Sequence, residues 1–226
     1  MNNTENFTGK AEAYAKGRPG YPKAAIDTIV GLAPSGTVFA DIGAGTGKFT
    51  VTLAERGYSV FAVEPNADMR RQLAITLAPF PNAKIMDGIA EATTLPKHSV
   101  DILTVAHALH WFNPDAFRAE CHRIVKPGGL VIAIYNLTPG GEMINLSKQT
   151  VDAFFTKPTT WEFPNPMDYT RDNWLAYIAS QDNYPLPTDS GYEAHIAAIN
   201  ATFDRGSVDG LLHIDRVTKV YCERIE

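Results

Sequence analysis

The chain has 226 residues, a net charge of −5 and only two cysteines, with 45% hydrophobic and 20% charged residues. This is the composition of a globular α/β domain with a sizeable core. It excludes a disulfide framework and speaks against an extended nucleic-acid footprint. With no signal-peptide pattern and no long apolar run, the expectation is one cytoplasmic domain over residues 1–226 with no membrane partner.

Residues 1–8 are polar. Lys10–Tyr21 scatters Tyr14, Arg18 and Tyr21 among glycines and prolines and is too irregular for a regular element. Pro22 fits the first turn of a helix to about Leu32, with Ile26, Ile29 and Val30 facing inward. A β-type run, Thr37–Ala40, then passes through Asp41 into Gly43, Gly45 and Gly47, and after Lys48 the pattern turns helical, with Phe49 and Leu53 on one face. Strand, glycine turn and helix open a nucleotide-binding βαβ unit. The glycines permit a sharp turn and close approach of a ligand, and the helix start offers unpaired N–H groups. A dinucleotide fingerprint needs glycine where Lys48 stands, and a phosphate P-loop needs a hydroxyl where Phe49 stands. Asp41 would repel a diphosphate and suit an ammonium group. S-adenosylmethionine (SAM) carries an amino group and a sulfonium and no phosphate, so the turn reads either as a SAM site or as a tight structural turn.

In the second unit Tyr58–Val63 is apolar, and Glu64 stands at its end, where a carboxylate accepts ribose hydroxyls or favours a helix start. NAD enzymes share the Glu64 logic, so only the first turn separates the two cofactors. Pro65 and Asn66 begin a helix with Met69, Leu73 and Leu77 on one face. Ala83–Met86 and Val100–Ala106 read as the third and fourth strands. Asn113-Pro114 caps a helix through Val125 that stops at Pro127-Gly128-Gly129, and Leu130–Tyr135 is the fifth strand. Helix-length connections imply parallel pairing, with ligands beyond the carboxyl ends of the strands. Asp41, Glu64, Gly88 and His107 fall at that edge. Met143–Phe155, Tyr169–Ser180 and Gly191–Phe203 read as helices, Thr160–Phe163 as a short strand, and Leu211–Ile214 and Val217–Ile225 as closing strands. Among Phe154, Phe155, Trp161, Phe163, Trp174, Tyr177, Tyr184 and Tyr192, ordinary packing is the first reading for any one ring, ahead of a substrate pocket.

On these residues the chain resembles the class I SAM-dependent methyltransferases. Gly88–Pro96 (GIAEATTLP), Ala106–Phe112 (AHALHWF) and Val125–Ile132 (VKPGGLVI) carry the resemblance beyond the glycine turn. Tyr14–Pro22 (YAKGRPGYP) resembles a bacterial small-molecule branch related to trans-aconitate methyltransferases. The resemblance implies a Rossmann-like, doubly wound seven-stranded α/β sheet, mostly parallel with an antiparallel closing strand. It implies SAM as cofactor, S-adenosylhomocysteine as product and no metal. Cofactor contacts would come from Arg18, Asp41, Gly43, Ala44, Gly45, Thr46, Gly47, Glu64, Pro65, Ala90, Glu91 and Ala106. Segment 8–22 would fold over the cofactor as a lid, with Arg18 meeting its carboxylate, and a small helical cap would lie within 137–205. That cap is short, which would leave the pocket open. Many relatives have Asp where Ile89 stands, so an adenine contact would come from main chain, from Glu91 or from neither.

Methyl transfer from a sulfonium is an in-line displacement in which the protein mainly positions the nucleophile. A base is needed only for a protonated, weak nucleophile. The candidates are His107, His110 and Tyr14, with His110 and Tyr14 as the catalytic expectation and His107, His110 and Trp111 against the substrate. A histidine bonded to nearby main chain is the plainer reading. His107, His110 and His122 lack metal-ligand spacing. The expected partner is a small-molecule methyl acceptor, and the expected state a monomer or homodimer. A non-catalytic SAM-binding module and an NAD-type oxidoreductase are the alternatives, and Lys48 in the third-glycine position speaks against the latter.

Overall fold

The computed structural model describes residues 8–9, 11–181, 184–185 and 187–225. The chain runs through α1 (Ala11–Gly17), α2 (Lys23–Gly31), β1 (Val38–Ile42), α3 (Thr50–Ala54), β2 (Ser59–Val63), α4 (Ala67–Leu77), β3 (Ala83–Met86), β4 (Val100–Ala106), a single 3-10 turn (Leu109–Trp111), α5 (Pro114–Ile124) and β5 (Val125–Leu137). It continues through α6 (Glu142–Phe154), β6 (Thr159–Pro164), β7 (Met167–Tyr169), α7 (Arg171–Ala179), α8 (Tyr192–Gly206), β8 (Ser207–Val208), β9 (Leu211–Ile214) and β10 (Val217–Arg224). Seven strands form one sheet in the order β3-β2-β1-β4-β5-β10-β6, parallel except for β10, which runs antiparallel to both its neighbours. This is the Rossmann-like, doubly wound arrangement expected from the sequence.

The sheet is buried on both faces, as parallel sheets are. Period-two alternation divides its strands between two cores. Ile102, Ile132, Ile134 and Val220 pack with Ala25, Ile26 and Ile29 of α2. Leu103, Val105, Val131, Ala133 and Tyr135 pack with Phe117, Cys121 and Ile124 of α5 and Val151 and Phe154 of α6. Asn66 and Asn113 cap α4 and α5, their side-chain oxygens accepting first-turn N–H groups at 3.0 Å.

Four elements differ from the sequence reading. The segment read as irregular contains α1, because Ala11–Lys16 is rich in good helix formers ahead of the Gly and Pro positions; Lys10 lies outside the described residues. This helix packs on α7 so closely that a side chain at Gly17 would overlap the Tyr177 backbone. Pro22 stands just outside α2 as its N-cap. The helix after Asn113 ends at Ile124, and Val125–Gly129 already belongs to β5. Leu211–Ile214 does not close the main sheet. It is the centre of a second, three-stranded sheet, β7-β9-β8. That sheet packs with α7 and α8 around Tyr169, Trp174, Ile199, Phe203 and Leu212, so the cap is part sheet and extends to Ile214. Among the described residues no helix is long and apolar enough to cross a membrane.

Candidate functional site

The carboxyl ends of β1, β2 and β4 meet at one edge, with Ile42 paired to Val63 and Asp41 to Thr104. Asp41 is fully buried. Its Oδ2 accepts from the Thr50 hydroxyl at 2.6 Å and its Oδ1 from the Thr104 hydroxyl at 3.1 Å. Burial pushes its carboxyl up to about 7, with the two hydroxyls opposing the shift. The expected contact between this side chain and a ligand's ammonium is therefore corrected. Asp41 is enclosed beneath the turn, where it ties β1 to β4 and to α3. Thr50 and Thr104, its partners, carry no motif and escaped the sequence reading.

The turn is laced to the end of β2. Gly43 and Ala44 donate to the Val63 carbonyl at 2.9 and 3.0 Å, and Gly45 donates to Glu64 Oε2 at 2.9 Å. Glu64 Oε1 accepts from the Asn66 N–H at 2.9 Å. Burial raises the Glu64 pKa, and the two N–H groups and nearby Arg70 work against it. The glycines divide in role. Gly43 (φ +70) and Gly47 (φ +88) are left-handed, and an added Cβ would stand 2.7 Å from Ala108 and from Leu73 respectively. The protein's own packing demands these two. At Gly45 the nearest group is the Tyr14 ring at 3.8 Å, so this residue marks the turn's open side. A carboxylate offers about four lone-pair sites, so Glu64 keeps two beyond its backbone partners, which fits a ribose hydroxyl pair. Thr46 is buried, and its hydroxyl lacks a hydrogen-bond partner among the described residues.

Next along the edge, Ala92 donates to the Ile89 carbonyl at 3.1 Å in a tight bend that buries Ala90 and leaves Ile89 43% exposed. Glu91 Oε1 accepts from the Asn113 N–H at 2.7 Å, pinning the bend to the start of α5. Of the candidate adenine contacts, Glu91 spends one acceptor site on this bond, and the Ile89–Ala90 main chain lies beside it. The Pro65 carbonyl accepts from Arg70 at 2.5 Å, and half-buried Ala106 packs toward the α2 side of the sheet.

Beside this edge lies a cavity of about 760 Å³ between sheet and cap. Tyr14, Arg18 and Lys48 form one side, His107, His110 and Trp111 the strand end, and Met143 and Leu146 an apolar wall on α6, while Tyr177 and Arg216 close the cap side. Arg18 lies 4.9 Å from the Tyr14 ring centre and donates through Nη2 to the Ser180 carbonyl at 3.2 Å. Lys48 Nζ donates to the Arg18 carbonyl at 2.5 Å, and burial lowers its pKa. Asn136 and Asn165 hold the Gly20 carbonyl at 3.1 and 3.2 Å, fastening the N-terminal strap to the sheet.

His107 has φ +60, a strained conformation for a non-glycine residue. Its Nε2 lies 2.8 Å from the Asn136 carbonyl, and since a carbonyl only accepts, Nε2 carries the proton. Burial first, then the nearby Arg18 charge, holds the imidazole far below its ordinary pKa. The ring is therefore neutral, with Nδ1 an acceptor. His110 lies against Trp111 and Tyr135, with ring centres 4.9 and 6.1 Å apart.

The structure thus brings Tyr14, Arg18, His107, His110 and Trp111 into one cavity. Glycines 43–47, Glu64, Pro65, Ala90 and Glu91 line the adjoining edge. The joints between the two are Tyr14 over Gly45 and Lys48 on Arg18. His122 lies elsewhere, on α5, and among the described residues no three His, Cys, Asp or Glu side chains cluster to hold a metal. Of the eight aromatics singled out in the sequence, only Tyr177 borders this cavity. Phe154 and Phe155 are core, and Trp161 and Phe163 project from β6 onto the core shared with α2. Arg216, missed in the sequence, sits in the link between β9 and β10 with no motif around it.

Residues 40–133 match the family model described as a methyltransferase domain. An uncharacterized methyltransferase of Mycobacterium tuberculosis is 39% identical over 131 residues, covering 58% of this chain and 52% of that protein. The chain thus spans about half the length of this relative. A solved structure from Anaeromyxobacter dehalogenans, provisionally assigned as a type II methyltransferase, superposes with a TM-score of 0.64 at 22% identity, over 92% of this chain and 97% of that one. Geranyl diphosphate C-methyltransferase from Streptomyces coelicolor, solved with Mg2+, geranyl diphosphate and S-adenosylhomocysteine, superposes with a TM-score of 0.51 at 16% identity, over 89% and 79% of the two chains. The structural likenesses show the fold, and the matched segment shows that the chain contains a methyltransferase domain.

Proposed function

We propose that this protein transfers a methyl group from SAM to a small molecule held in the cavity beside the glycine turn. One observation carries the reading: the open Gly45, hydrogen-bonded to a ribose-ready Glu64, adjoins a 760 Å³ cavity across a single tyrosine. Glu64 would hold the ribose, the Gly43–Gly47 backbone the amino-acid portion, the Ile89–Ala90 main chain the adenine, and Arg18 the carboxylate. When bound, SAM supplies an electrophilic methyl group on a sulfonium. The protein's own residues then position the acceptor and exclude water, the kind of contribution worth roughly 7–11 kcal/mol in well-oriented reactions. His107 suits orientation better than proton removal, because burial keeps it neutral and a poor base. Its Nδ1 would accept a hydrogen bond from an acceptor hydroxyl or amine, while His110 and Tyr14 stay the candidates for moving a proton. The small-molecule class is supported by a concave cavity with an apolar wall, and by net acidity that disfavours nucleic acid.

The test is incubation with methyl-labelled SAM and a panel of small acids, phenols and amines, scored for S-adenosylhomocysteine formation. Label transfer to a panel member, lost in Glu64→Ala, is the expected result. Tight binding of S-adenosylhomocysteine without transfer to any acceptor would point instead to a non-catalytic SAM-binding module.

A further inference from the structure

Arg216 lies in the two-residue link between β9 and β10, with only 5% of its surface exposed. Its guanidinium rests 4.4 Å from the Tyr177 ring centre and 5.5 Å from that of Tyr169. It has no hydrogen-bonding or ion-pair partner for its side chain among the described residues, and its Nε is buried without one. Arginine cannot shed its charge, and an unpaired buried charge is costly. Stacking on two tyrosines offsets part of that cost, but it engages the faces of the rings and leaves the planar fork of N–H donors unspent. The neighbouring carboxylate, Asp215, is turned to solvent and interacts with His213 at 3.4 Å. Arg18, 5.7 Å from the Tyr177 ring centre, borders the same cavity and has no carboxylate partner among the described residues. Among the described residues bordering the cavity, the one acidic side chain is Glu142, exposed at the start of α6.

The cavity is therefore cationic on its cap side, and a single cofactor carboxylate accounts for one arginine. Arg18 is the nearer to the turn, through Tyr14 over Gly45 and through Lys48 on its carbonyl. We infer that Arg216 is the acceptor's anchor and selects a small organic molecule bearing an oxyanion, a carboxylate or phosphate group, with an apolar body against Trp111, Met143 and Leu146. Guanidinium forks match both anions in a bidentate fashion. The inference rests on the methyltransferase reading for the word acceptor, but the anion site itself does not depend on it.

The experiment measures binding of phenylacetate, phenyl phosphate and neutral phenylacetamide by calorimetry and saturation-transfer NMR. The full chain is used, with and without S-adenosylhomocysteine. At least one anion should bind about tenfold or more tightly than the amide, and the preferred anion distinguishes carboxylate from phosphate. Arg216→Gln should abolish the preference while leaving S-adenosylhomocysteine affinity unchanged, and Arg216→Lys should keep a reduced preference in a chain whose charge and fold are retained. Equal binding of amide and anions, no binding of either anion in either state, or an Arg216→Gln variant that weakens S-adenosylhomocysteine instead would each overturn the assignment. Failure of S-adenosylhomocysteine to bind at all, with the anion preference intact, would strike the methyltransferase reading and leave the anion site standing.

Discussion

The two sides of the site are held together in different ways. At the strand edge, Asp41, the glycine turn and Glu64 are fixed by backbone and hydroxyl hydrogen bonds between neighbouring parallel strands. Across the cavity, Arg18, Tyr177 and Arg216 come from segments far apart in the chain and are held by ring stacking and by one bond from Arg18 to the Ser180 carbonyl. The first kind of construction demands residue types at fixed spacing. The second demands only that a ring and a cation arrive at the same place. A strand edge fixed by residue types at set spacing is thus joined to a side held by contacts that leave the sequence freer to vary.

Substitutions at the edge should cost most. In Glu64→Ala the Gly45 and Asn66 N–H groups lose their acceptor in a buried setting, at about 1–3 kcal/mol of stability for each. Affinity for S-adenosylhomocysteine should fall by a further ~1.5–3 kcal/mol through loss of a charge-assisted hydrogen bond. Urea unfolding and calorimetry separate the two losses. A folded variant with undiminished affinity would mean that the carboxylate serves only the turn and α4.

Asp41 gives the edge a pH signature. Its folded pKa, near 7, lies above the ordinary carboxylate value, so the folded state holds the proton more tightly than the unfolded one. Its contribution is most favourable below about pH 4 and is lost as pH rises toward and through 7, on the order of 1.4 kcal/mol per pKa unit. Asp41→Asn, which preserves the side chain's shape, should flatten that decline in melts from pH 4 to 8. An unchanged slope would show that Asp41 ionises freely despite its enclosure.

These outcomes bear on what the sequence reveals. The five parallel strands and the glycine turn were legible because strand runs, helix-length crossovers and glycines at fixed offsets leave few other arrangements, whereas the seven-stranded closure and the antiparallel β10 were expected only from the family resemblance. Glu64 was legible from its place at the end of β2, although its two backbone partners were not. The cap was read poorly, since β7 and β8 are only three and two residues long and carry no period. Helix α1 was obscured by the glycines and prolines that follow it. Arg216 has no local signal at all: its burial depends on Tyr169 and Tyr177, which reach it only through the tertiary fold.

On the cap side the effects should be smaller and more local. Gly17→Ala forces a methyl group into the Tyr177 backbone and should cost ~1–3 kcal/mol by overpacking. The loss should appear as faster hydrogen exchange in α1 and α7, with the central strands unaffected. Slowed folding or exchange throughout the sheet would erase the distinction between the two sides. The smallest effect is expected for Arg18→Ala, about 1 kcal/mol in S-adenosylhomocysteine affinity. In the unaltered chain, amides of residues 11–21 should exchange more slowly once that ligand is bound, as expected for a strap that closes over it. Equal exchange in both states with unaltered affinity in the variant would remove the strap from the cofactor site.

The central claim is that the turn over Asp41, with Lys48 in the place of a third glycine, takes SAM and not a dinucleotide. Calorimetric titration of the full chain with S-adenosylhomocysteine and, separately, with NAD tests it directly. Saturable one-to-one binding of S-adenosylhomocysteine, sharply weakened in Glu64→Ala, with no heat from NAD, is the predicted result; NAD binding that depends on Glu64, with none for S-adenosylhomocysteine, would contradict it.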